Sequence, residues 1–255
     1  MNRSARMNLP CQILFLILVA MLPTDMEAQS EGTDQPITAG WQLGVQHTTT
    51  GWGGSLHYLV GKDHLQFLMG ADMHVVKDPR EFRTESFFGT QGRKYVLGKQ
   101  NHFAVFNPSV GIQKEIFPIR SGNLLNVRIG GKLGPALGIV TPYYLEIFSP
   151  VSGRPQLGDR VIEAYDPARH TYPSIIGRAS IFDHDFNPNL QVGFSSRLFA
   201  MIDFSNTSTS IRAVQIGLNA DWFASAVPIM ADFAVSHDRQ LFLSVQIGLL
   251  LGNRW

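Results

Sequence analysis

The sequence has a single cysteine and no excess of charge of either sign. Cys11 stands near the amino terminus, ahead of an apolar run, and no cysteine follows it. Disulfide bonds and metal sites built on thiolate ligands are therefore excluded for the rest of the chain. Lys and Arg number 21 against 20 Asp and Glu. This balance argues against a nucleic-acid-binding protein, which would carry a basic stripe.

The familiar nucleotide-binding and catalytic motifs are also missing. The sequence contains no Gly-x-Ser-x-Gly elbow, Walker loop, dinucleotide fingerprint or EF-hand pattern. We therefore expect no cofactor, and we interpret the chain as a non-enzyme. A lipid acyl hydrolase or acyltransferase is the catalytic alternative, with Ser55 and His57 as the candidate pair, because a His can activate a weak hydroxyl nucleophile. Asp183-His184-Asp185 is the tightest grouping of potential metal ligands, and we interpret it as solvated loop polarity.

The amino terminus predicts a secretory signal peptide. Arg3 and Arg6 precede an apolar run from Ile13 to Leu22, and small and polar residues then lead to Ala28. The run is about half of the roughly 20 residues that a spanning helix needs, which disfavours an uncleaved anchor. We predict that residues 1–28 are removed and that 29–255 form one domain.

Period-two alternation of apolar and polar residues recurs through the rest of the chain. Because successive side chains of a strand point to opposite faces, each such segment predicts a strand with one apolar and one polar face. The alternating segments are 41–47, 56–60, 64–75, 102–113, 125–139, 190–202, 212–222 and 240–252. Most approach the roughly 9–11 residues that cross a bilayer as a tilted strand. The predicted fold class is all-β, a closed antiparallel transmembrane β-barrel of about eight strands.

The connecting segments fall into two sets. An even strand count places both chain ends on one side of the membrane, which for such barrels is the periplasm. Short periplasmic turns are predicted at 61–63, around 117–118 and at 205–209. Longer outward loops are predicted at 48–54, 77–100, 141–188 and 224–238.

Alternation alone does not say which face of the strands lines the lumen. In a soluble barrel the apolar face would point inward. The polar faces here carry Gly, Gln, Ser and Asn with scattered single charges, a composition that suits a crowded interior rather than a water-facing surface. We therefore predict a polar interior and a lipid-facing apolar exterior. Aromatic residues near strand ends match interfacial girdles: Trp41, Trp52, Tyr58, Trp222 and Trp255.

The charged and amide residues of the polar faces predict a polar network in the lumen. Its members are Asp72, His74, Arg128, Lys132, Arg197, Asp203, Asn219 and Asp221. Such a network could line a path for small solutes or form a salt-bridged plug. An eight-stranded barrel has an interior just filled by side chains, which favours the plug. A continuous pore would need further wall strands, for which 143–148 and 175–182 are the candidates.

The last strand carries an outward apolar row and leads to a terminal aromatic residue. This arrangement resembles the terminal signature of outer-membrane β-barrel proteins, and the resemblance implies that Leu249, Leu251 and Trp255 form the signal read by the barrel-assembly machinery. Several further segments resemble uncharacterised outer-membrane β-barrel proteins common in Bacteroidota: 61–64, 77–81, 110–114, 142–146 and 240–242. That resemblance implies a barrel in the outer membrane, surrounded by membrane lipids, and implies no particular activity.

The function predicted from these observations is a structural or interaction role. The alternatives are an accessory subunit of an outer-membrane assembly or secretion complex, a small-solute channel and a lipid-modifying enzyme. The 141–188 loop carries several Arg and Tyr residues, the types that dominate binding hot spots. It predicts either a surface for another outer-membrane protein or a glycan, or a loop folded over its own barrel mouth.

Overall fold

The computed structural model describes residues 38–62, 64–86, 93–117, 126–148, 160–170, 172–180, 187–205, 209–231 and 239–255. In chain order the strands are β1 Thr38–Thr48, β2 Gly51–Lys62, β3 Leu65–Val76, β4 Arg83–Thr84, β5 Tyr95–Val96, β6 Asn101–Phe117, β7 Asn126–Pro142, β8 Tyr144–Phe148, β9 Arg160–Ala164, β10 Ile175–Arg178, β11 Asn189–Asp203, β12 Ser210–Val227 and β13 Arg239–Arg254. One turn of 3-10 helix covers Tyr172–Ser174. Among these residues no helix has the length and apolar character that crossing a membrane requires.

Eight of the strands close into an antiparallel barrel in the order β1-β13-β12-β11-β7-β6-β3-β2. Each of the eight coincides with one of the segments predicted from alternation to within one residue or extends beyond it, so the predicted fold class is confirmed. The barrel closes where β1 pairs with β13. There the Ala39 amide donates to the Trp255 carbonyl at 3.0 Å and the Trp255 amide donates back to the Ala39 carbonyl at 2.8 Å.

The two ends of the barrel differ in the length of their connections. Both Thr38 and Trp255 lie at one end, here called the terminal end, and the longer connections lie at the other, the loop end. The predicted loop at 48–54 is wrong, because β1 runs to Thr48 and β2 begins at Gly51 after a two-residue turn. Glycines let β2 pair so closely with β3 here. A Cβ on Gly51 would lie 2.0 Å from the Val75 carbonyl oxygen.

Other predicted boundaries hold to different degrees. The segment 205–209 lies between the end of β11 and the start of β12, as predicted, whereas the predicted 224–238 loop begins too early because β12 continues to Val227. The predicted turn around 117–118 lies mainly outside the described residues, since the description stops at Phe117.

The barrel is apolar outside and polar inside. Large apolar side chains form outward rows on every barrel strand, with exposed fractions such as 68% for Val45 and 66% for Leu243. Gln, Ser, Asn and charged residues of the opposite parity are buried within the barrel. This orientation is the predicted one and is the reverse of a water-soluble barrel. An exposed apolar surface that encircles the molecule requires an apolar environment. The aromatic residues named from the sequence are among the outward-facing ones: Trp41, Trp52, Tyr58, Trp222 and Trp255.

The connections at the loop end fold into a small outer cap. It consists of the three-stranded sheet β10-β8-β9 and the two-stranded sheet β4-β5. Its apolar core is formed by Tyr95, Tyr143, Leu145, Ile147, Tyr165, Ile175 and Ala231. The suggestion that 143–148 and 175–182 extend the barrel wall is therefore wrong for the described part. They form strands there because their apolar residues pack against each other above the mouth of the barrel.

Candidate functional site

Asp72 is the centre of a polar cluster in the lumen. From β3 its carboxylate forms ion pairs with Lys132 of β7, whose Nζ lies 2.9 Å from Oδ1, and with Arg197 of β11, whose Nη1 lies 2.8 Å from the same oxygen. His57 of β2 approaches the other oxygen, with Nε2 at 3.2 Å from Oδ2. All four residues are at most 6% exposed. One carboxylate thus ties four strands together across the interior.

A second carboxylate, that of Asp221 on β12, lies beside the first. It accepts hydrogen bonds from Ser195 Oγ at 2.6 Å and Asn107 Nδ2 at 3.2 Å, and His74 Nε2 lies 3.1 Å away. Arg197 Nη2 lies 3.1 Å from His74 Nδ1. Because a guanidinium can only donate, Nδ1 is the acceptor and the His74 proton lies on Nε2, facing Asp221.

The polar cluster is electrically balanced when its histidines are neutral. Asp72 and Asp221 supply two negative charges, and Lys132 and Arg197 supply two positive ones. Asp72 pairs with both cations, and Asp221 is held by hydrogen bonds from Ser195, Asn107 and His74. Buried ions are tolerated when they are paired or hydrogen-bonded in this way. The arrangement therefore matches the salt-bridged plug rather than an open path for ions.

Two further polar groups lie towards the terminal end. Asp203 accepts hydrogen bonds from Ser205 Oγ at 2.6 Å and from Arg254 Nη2. Gln66 Oε1 accepts from Arg128 Nη1 at 2.6 Å, and Gln113 Nε2 donates to the same oxygen at 2.8 Å. These contacts pair the interior of β3, β6 and β7 and join β11 to β13.

Apolar layers lie on either side of the polar cluster. Towards the loop end three aromatic rings meet, with Phe103 at 5.2 Å from Phe223 and 5.4 Å from Phe242 between ring centroids. They belong to a buried apolar layer that is distinct from the salt-bridged cluster and is hereafter called the plug. It also contains Val76, Val105, Ala136, Val140, Val227, Ile229 and Met230. A second layer towards the terminal end consists of Leu59, Leu68, Phe199, Met201, Ile211, Ala213 and Leu250. The interior is therefore filled in depth by alternating polar and apolar side chains.

The outer cap contains a buried ion pair of its own. Lys99 Nζ lies 2.6 Å from Glu81 Oε2, and both side chains are at most 8% exposed. Burial lowers the pKa of Lys99, although Glu81 partly offsets the effect. Burial also raises the pKa of Tyr95 to about 12. At Asp78 burial alone would raise the carboxyl pKa, but the hydrogen bonds from Arg80 hold that pKa below its usual value.

All eight residues predicted for the lumen network are buried inside the barrel, and they divide among these groups. Asp72, His74, Lys132, Arg197 and Asp221 meet in the polar cluster. The others lie elsewhere: Arg128 beside Gln66, Asp203 beside Arg254, and Asn219 against Ser244 at 3.3 Å. The residues predicted as an assembly signal, Leu249, Leu251 and Trp255, face outward and are at least 60% exposed.

Some members of the polar cluster are not among the residues predicted for the lumen network. His57 is one of them: the sequence suggests it as a catalytic partner of Ser55, but its described contacts are to Asp72 at 3.2 Å and Lys132 at 3.1 Å. Asn107 and Ser195 were not singled out, although both share the inward parity of their strands, which was the signal available.

Within the described residues no group of three His, Cys, Asp or Glu side chains is arranged to hold a metal ion. The Asp183-His184-Asp185 grouping lies outside those residues. The expectation that the chain binds no metal stays a prediction.

Comparison with known proteins yields structural similarity alone. No family model matches the chain, and no curated protein matches it in sequence. Among solved structures, Neisserial surface protein A is similar with a TM-score of 0.39 and 6% identity, over 86% of this chain and 95% of that one. The N-terminal β-barrel domain of OprF from Pseudomonas aeruginosa gives a TM-score of 0.38 and 9% identity, over 86% and 97%. The attachment invasion locus protein Ail of Yersinia pestis gives a TM-score of 0.35 and 10% identity, over 86% of this chain and 96% of that one. These values are too low to assign a function.

Proposed function

We propose that this chain is an integral outer-membrane protein whose barrel is a sealed anchor and whose outer cap carries a structural or interaction role. The observation that carries the proposal is the combination of an apolar exterior with an interior filled by a buried polar cluster between two apolar layers. Side chains of the described residues fill the barrel interior, and so the part left to act on other molecules is the surface that the cap presents at the loop end.

The barrel exterior supports insertion in a bilayer. Outward apolar rows lie between aromatic residues at both ends, with Trp41 and Trp255 at the terminal end and Trp52 and Trp222 at the loop end. Aromatic residues favour the membrane–water interface because one part of the ring system is apolar and the other polar. The outer membrane is the location we propose, with export directed by a signal peptide at 1–28. Membership of the Bacteroidota family is part of this proposal and rests on the sequence segments that resemble it.

The filled interior disfavours the channel alternative. An ion entering from the loop end would meet the outer cap, the plug and then the Asp72 cluster. We expect the purified protein to show no steady conductance in planar bilayers. A reproducible open-channel conductance that disappears on heat denaturation would contradict the sealed-anchor proposal.

The cap exposes side chains suited to contact with a partner, and we propose another outer-membrane protein as that partner. Phe82 is 75% exposed and Tyr172 40% exposed, and both lie outside the barrel wall. A photo-crosslinking amino acid at either position should yield adducts with a defined membrane protein in intact cells. The same group at Leu243, which faces outward from the wall, is the matched control and should label lipid. Equal protein labelling at all three positions, or none at Phe82 and Tyr172, would refute a cap-specific role.

We also propose that the chain is not an enzyme. The best candidate nucleophile, Ser55, is not among the described partners of His57, and His57 is itself bound in the polar cluster. Substitution of Ser55 by Ala should leave lipid turnover in the membrane unchanged, and a loss of turnover would revive the catalytic alternative.

A further inference from the structure

A cavity of about 490 Å³ opens at the loop end of the lumen. It is here called the vestibule. Four carboxamide side chains line it, those of Asn101, Asn187, Asn189 and Gln191, and Val140 contributes to its wall. Val140 also belongs to the plug. The plug therefore borders the vestibule on its inner side, and the volume of the vestibule is in the range of small-molecule sites.

One rim of the vestibule is held in place by hydrogen bonds. Asn101 Nδ2 donates to the Pro228 carbonyl at 2.6 Å, and the Asn101 amide donates to the Ile229 carbonyl at 3.2 Å. The Gln100 amide reaches the same Ile229 carbonyl at 2.9 Å. These bonds fix the segment after β12 onto the start of β6, so this rim is preformed and a ligand need not order it.

Gln191 presents an acceptor that the described part of the chain leaves unsatisfied. Its Oε1 atom is buried and has no hydrogen-bond partner among the described residues. Gln191 shares the inward parity of β11 and pairs with Gly138 of β7. The Phe103 and Phe223 rings of the plug lie against Gly138, so Gln191 lies next to the inner wall of the vestibule. A buried acceptor without a donor is unfavourable, and a ligand hydroxyl would supply the donor.

The lining also restricts the charge of a ligand. Among the described residues that form the vestibule none is ionisable, whereas carboxamides both donate and accept hydrogen bonds. A charged ligand would lose hydration without gaining a counter-ion. A neutral, hydroxyl-rich molecule would exchange its water contacts for amide contacts one for one.

We infer that the vestibule binds a neutral saccharide of one or two rings, with Gln191 Oε1 accepting a hydrogen bond from a sugar hydroxyl. The same chemistry is offered by a free sugar and by the neutral sugar headgroup of a lipid. Binding here is separate from the protein contacts proposed for the outer cap.

The test is ligand titration of the full mature chain, folded in a detergent without a sugar headgroup. Maltose and diacetylchitobiose serve as neutral probes, glucuronate and glucose 6-phosphate as charged ones, and dodecyl maltoside as the lipid-borne headgroup. Saturation-transfer NMR should detect binding of the neutral probes with a Kd below about 10 mM, which is a weak affinity for a protein–ligand complex. A response to maltose assigns free sugars, and a response to dodecyl maltoside alone assigns a lipid-borne headgroup; either supports the inference.

Gln191→Leu should weaken that binding by about tenfold, the equivalent of one hydrogen bond in a buried site. Gln42→Leu is the matched control. Gln42 is also buried, and its Oε1 is likewise unpartnered among the described residues, but it lies near the terminal end, away from the vestibule. The Gln42→Leu variant should bind the neutral probes with the same affinity as the wild type. If Gln191→Leu fails to give the heat-modifiable folded form, Asn189→Leu at the exposed rim replaces it and should weaken binding by a smaller factor, because Asn189 is exposed. Failure of every neutral probe to bind, equal binding of the charged probes, or undiminished binding by the vestibule variant would overturn the inference.

Discussion

Pro108 of β6 lies opposite Pro135 of β7, and both rings face outward from the barrel wall. The two strands pair in one register up to Phe106 with Leu137 and again from Val110 with Leu133, but the residues between have no ladder partners across this seam. Neither proline has an amide hydrogen to donate. The wall thus lacks ladder hydrogen bonds at this point, where a shallow apolar groove of about 610 Å³ runs along the outer surface.

Restoring hydrogen-bond donors at this seam should stabilise the barrel. We expect Pro108→Val and Pro135→Val together to add about 0.5–1.5 kcal/mol for each ladder bond regained. The temperature of the heat-modifiable gel shift should rise, and amide exchange at 107, 109, 134 and 136 should slow. Pro167→Ala, in an exposed turn of the outer cap, is the control and should change stability by no more than about 0.5 kcal/mol. A double variant no more stable than the wild type would show that the missing ladder hydrogen bonds do not reduce the stability of the barrel.

Asp72 should matter through charge balance more than through packing. Asp72→Asn keeps the shape but leaves Lys132 and Arg197 facing one another without their shared carboxylate. Breaking a buried ion pair in this way costs about 3–5 kcal/mol. Adding Lys132→Met removes one cation and restores equal numbers of buried charges, so the double variant should recover much of the loss. Urea-induced unfolding in lipid vesicles would measure both, and a double variant less stable than Asp72→Asn would contradict charge balance as the cause.

The cap ion pair should behave differently from a surface pair nearby. Lys99→Met leaves Glu81 buried without its partner and should destabilise the cap by about 3–5 kcal/mol. Lys94→Met breaks the pair of Lys94 with Glu85, in which both side chains are more than 60% exposed, and should leave protease sensitivity close to that of the wild type. Limited proteolysis of the folded protein reports cap opening. Equal protease sensitivity of the two variants would mean that burial of the Lys99–Glu81 pair does not affect the stability of the cap.

Alkaline pH should loosen the cap before the barrel. The Tyr95 pKa is raised to about 12 by burial from its ordinary value of 10.0, so between these values the folded cap keeps a proton that the unfolded chain has lost. Cap stability is therefore complete below pH 10 and falls as pH rises towards 12. Tyr95→Phe should flatten that decline. It should also be neutral or stabilising at pH 7, because the Tyr95 hydroxyl is buried without a described partner.

Near-ultraviolet circular dichroism over this pH range would follow the cap. Tyr58→Phe is the control, because Tyr58 is exposed on the barrel wall near the terminal end, away from the cap. A Tyr95→Phe variant with an unchanged decline would assign the alkaline transition to other groups.

The barrel strands were predictable because one physical signal repeats in each of them. Parity separates lipid-facing from interior residues, and it places Asp72 and Lys132 on the polar side, where their side chains lie 2.9 Å apart. It could not say that Arg197 would touch both Asp72 and His74, since this depends on strand stagger around a closed wall.

Two other features were hidden from sequence for different reasons. Gly51 and Gly53 read as loop residues, although in the structure they permit close approach of β3: a Cβ on Gly53 would lie 2.2 Å from the Met73 carbonyl oxygen. The outer cap could not be predicted because β8, at five residues, and β10, at four, are too short to show a recognisable alternation of apolar and polar residues. Their pairing depends on Tyr143 and other residues far apart in sequence.

The reciprocal bonds between Ala39 and Trp255 impose an order on biogenesis. One edge of the first strand has no partner until the strand that ends at Arg254 has been synthesised. Until then a long polypeptide with an adhesive edge must be kept from aggregating. We therefore predict that the unfolded chain needs a holding chaperone, and that a chain truncated before its final strand is degraded by proteases faster than the full-length chain.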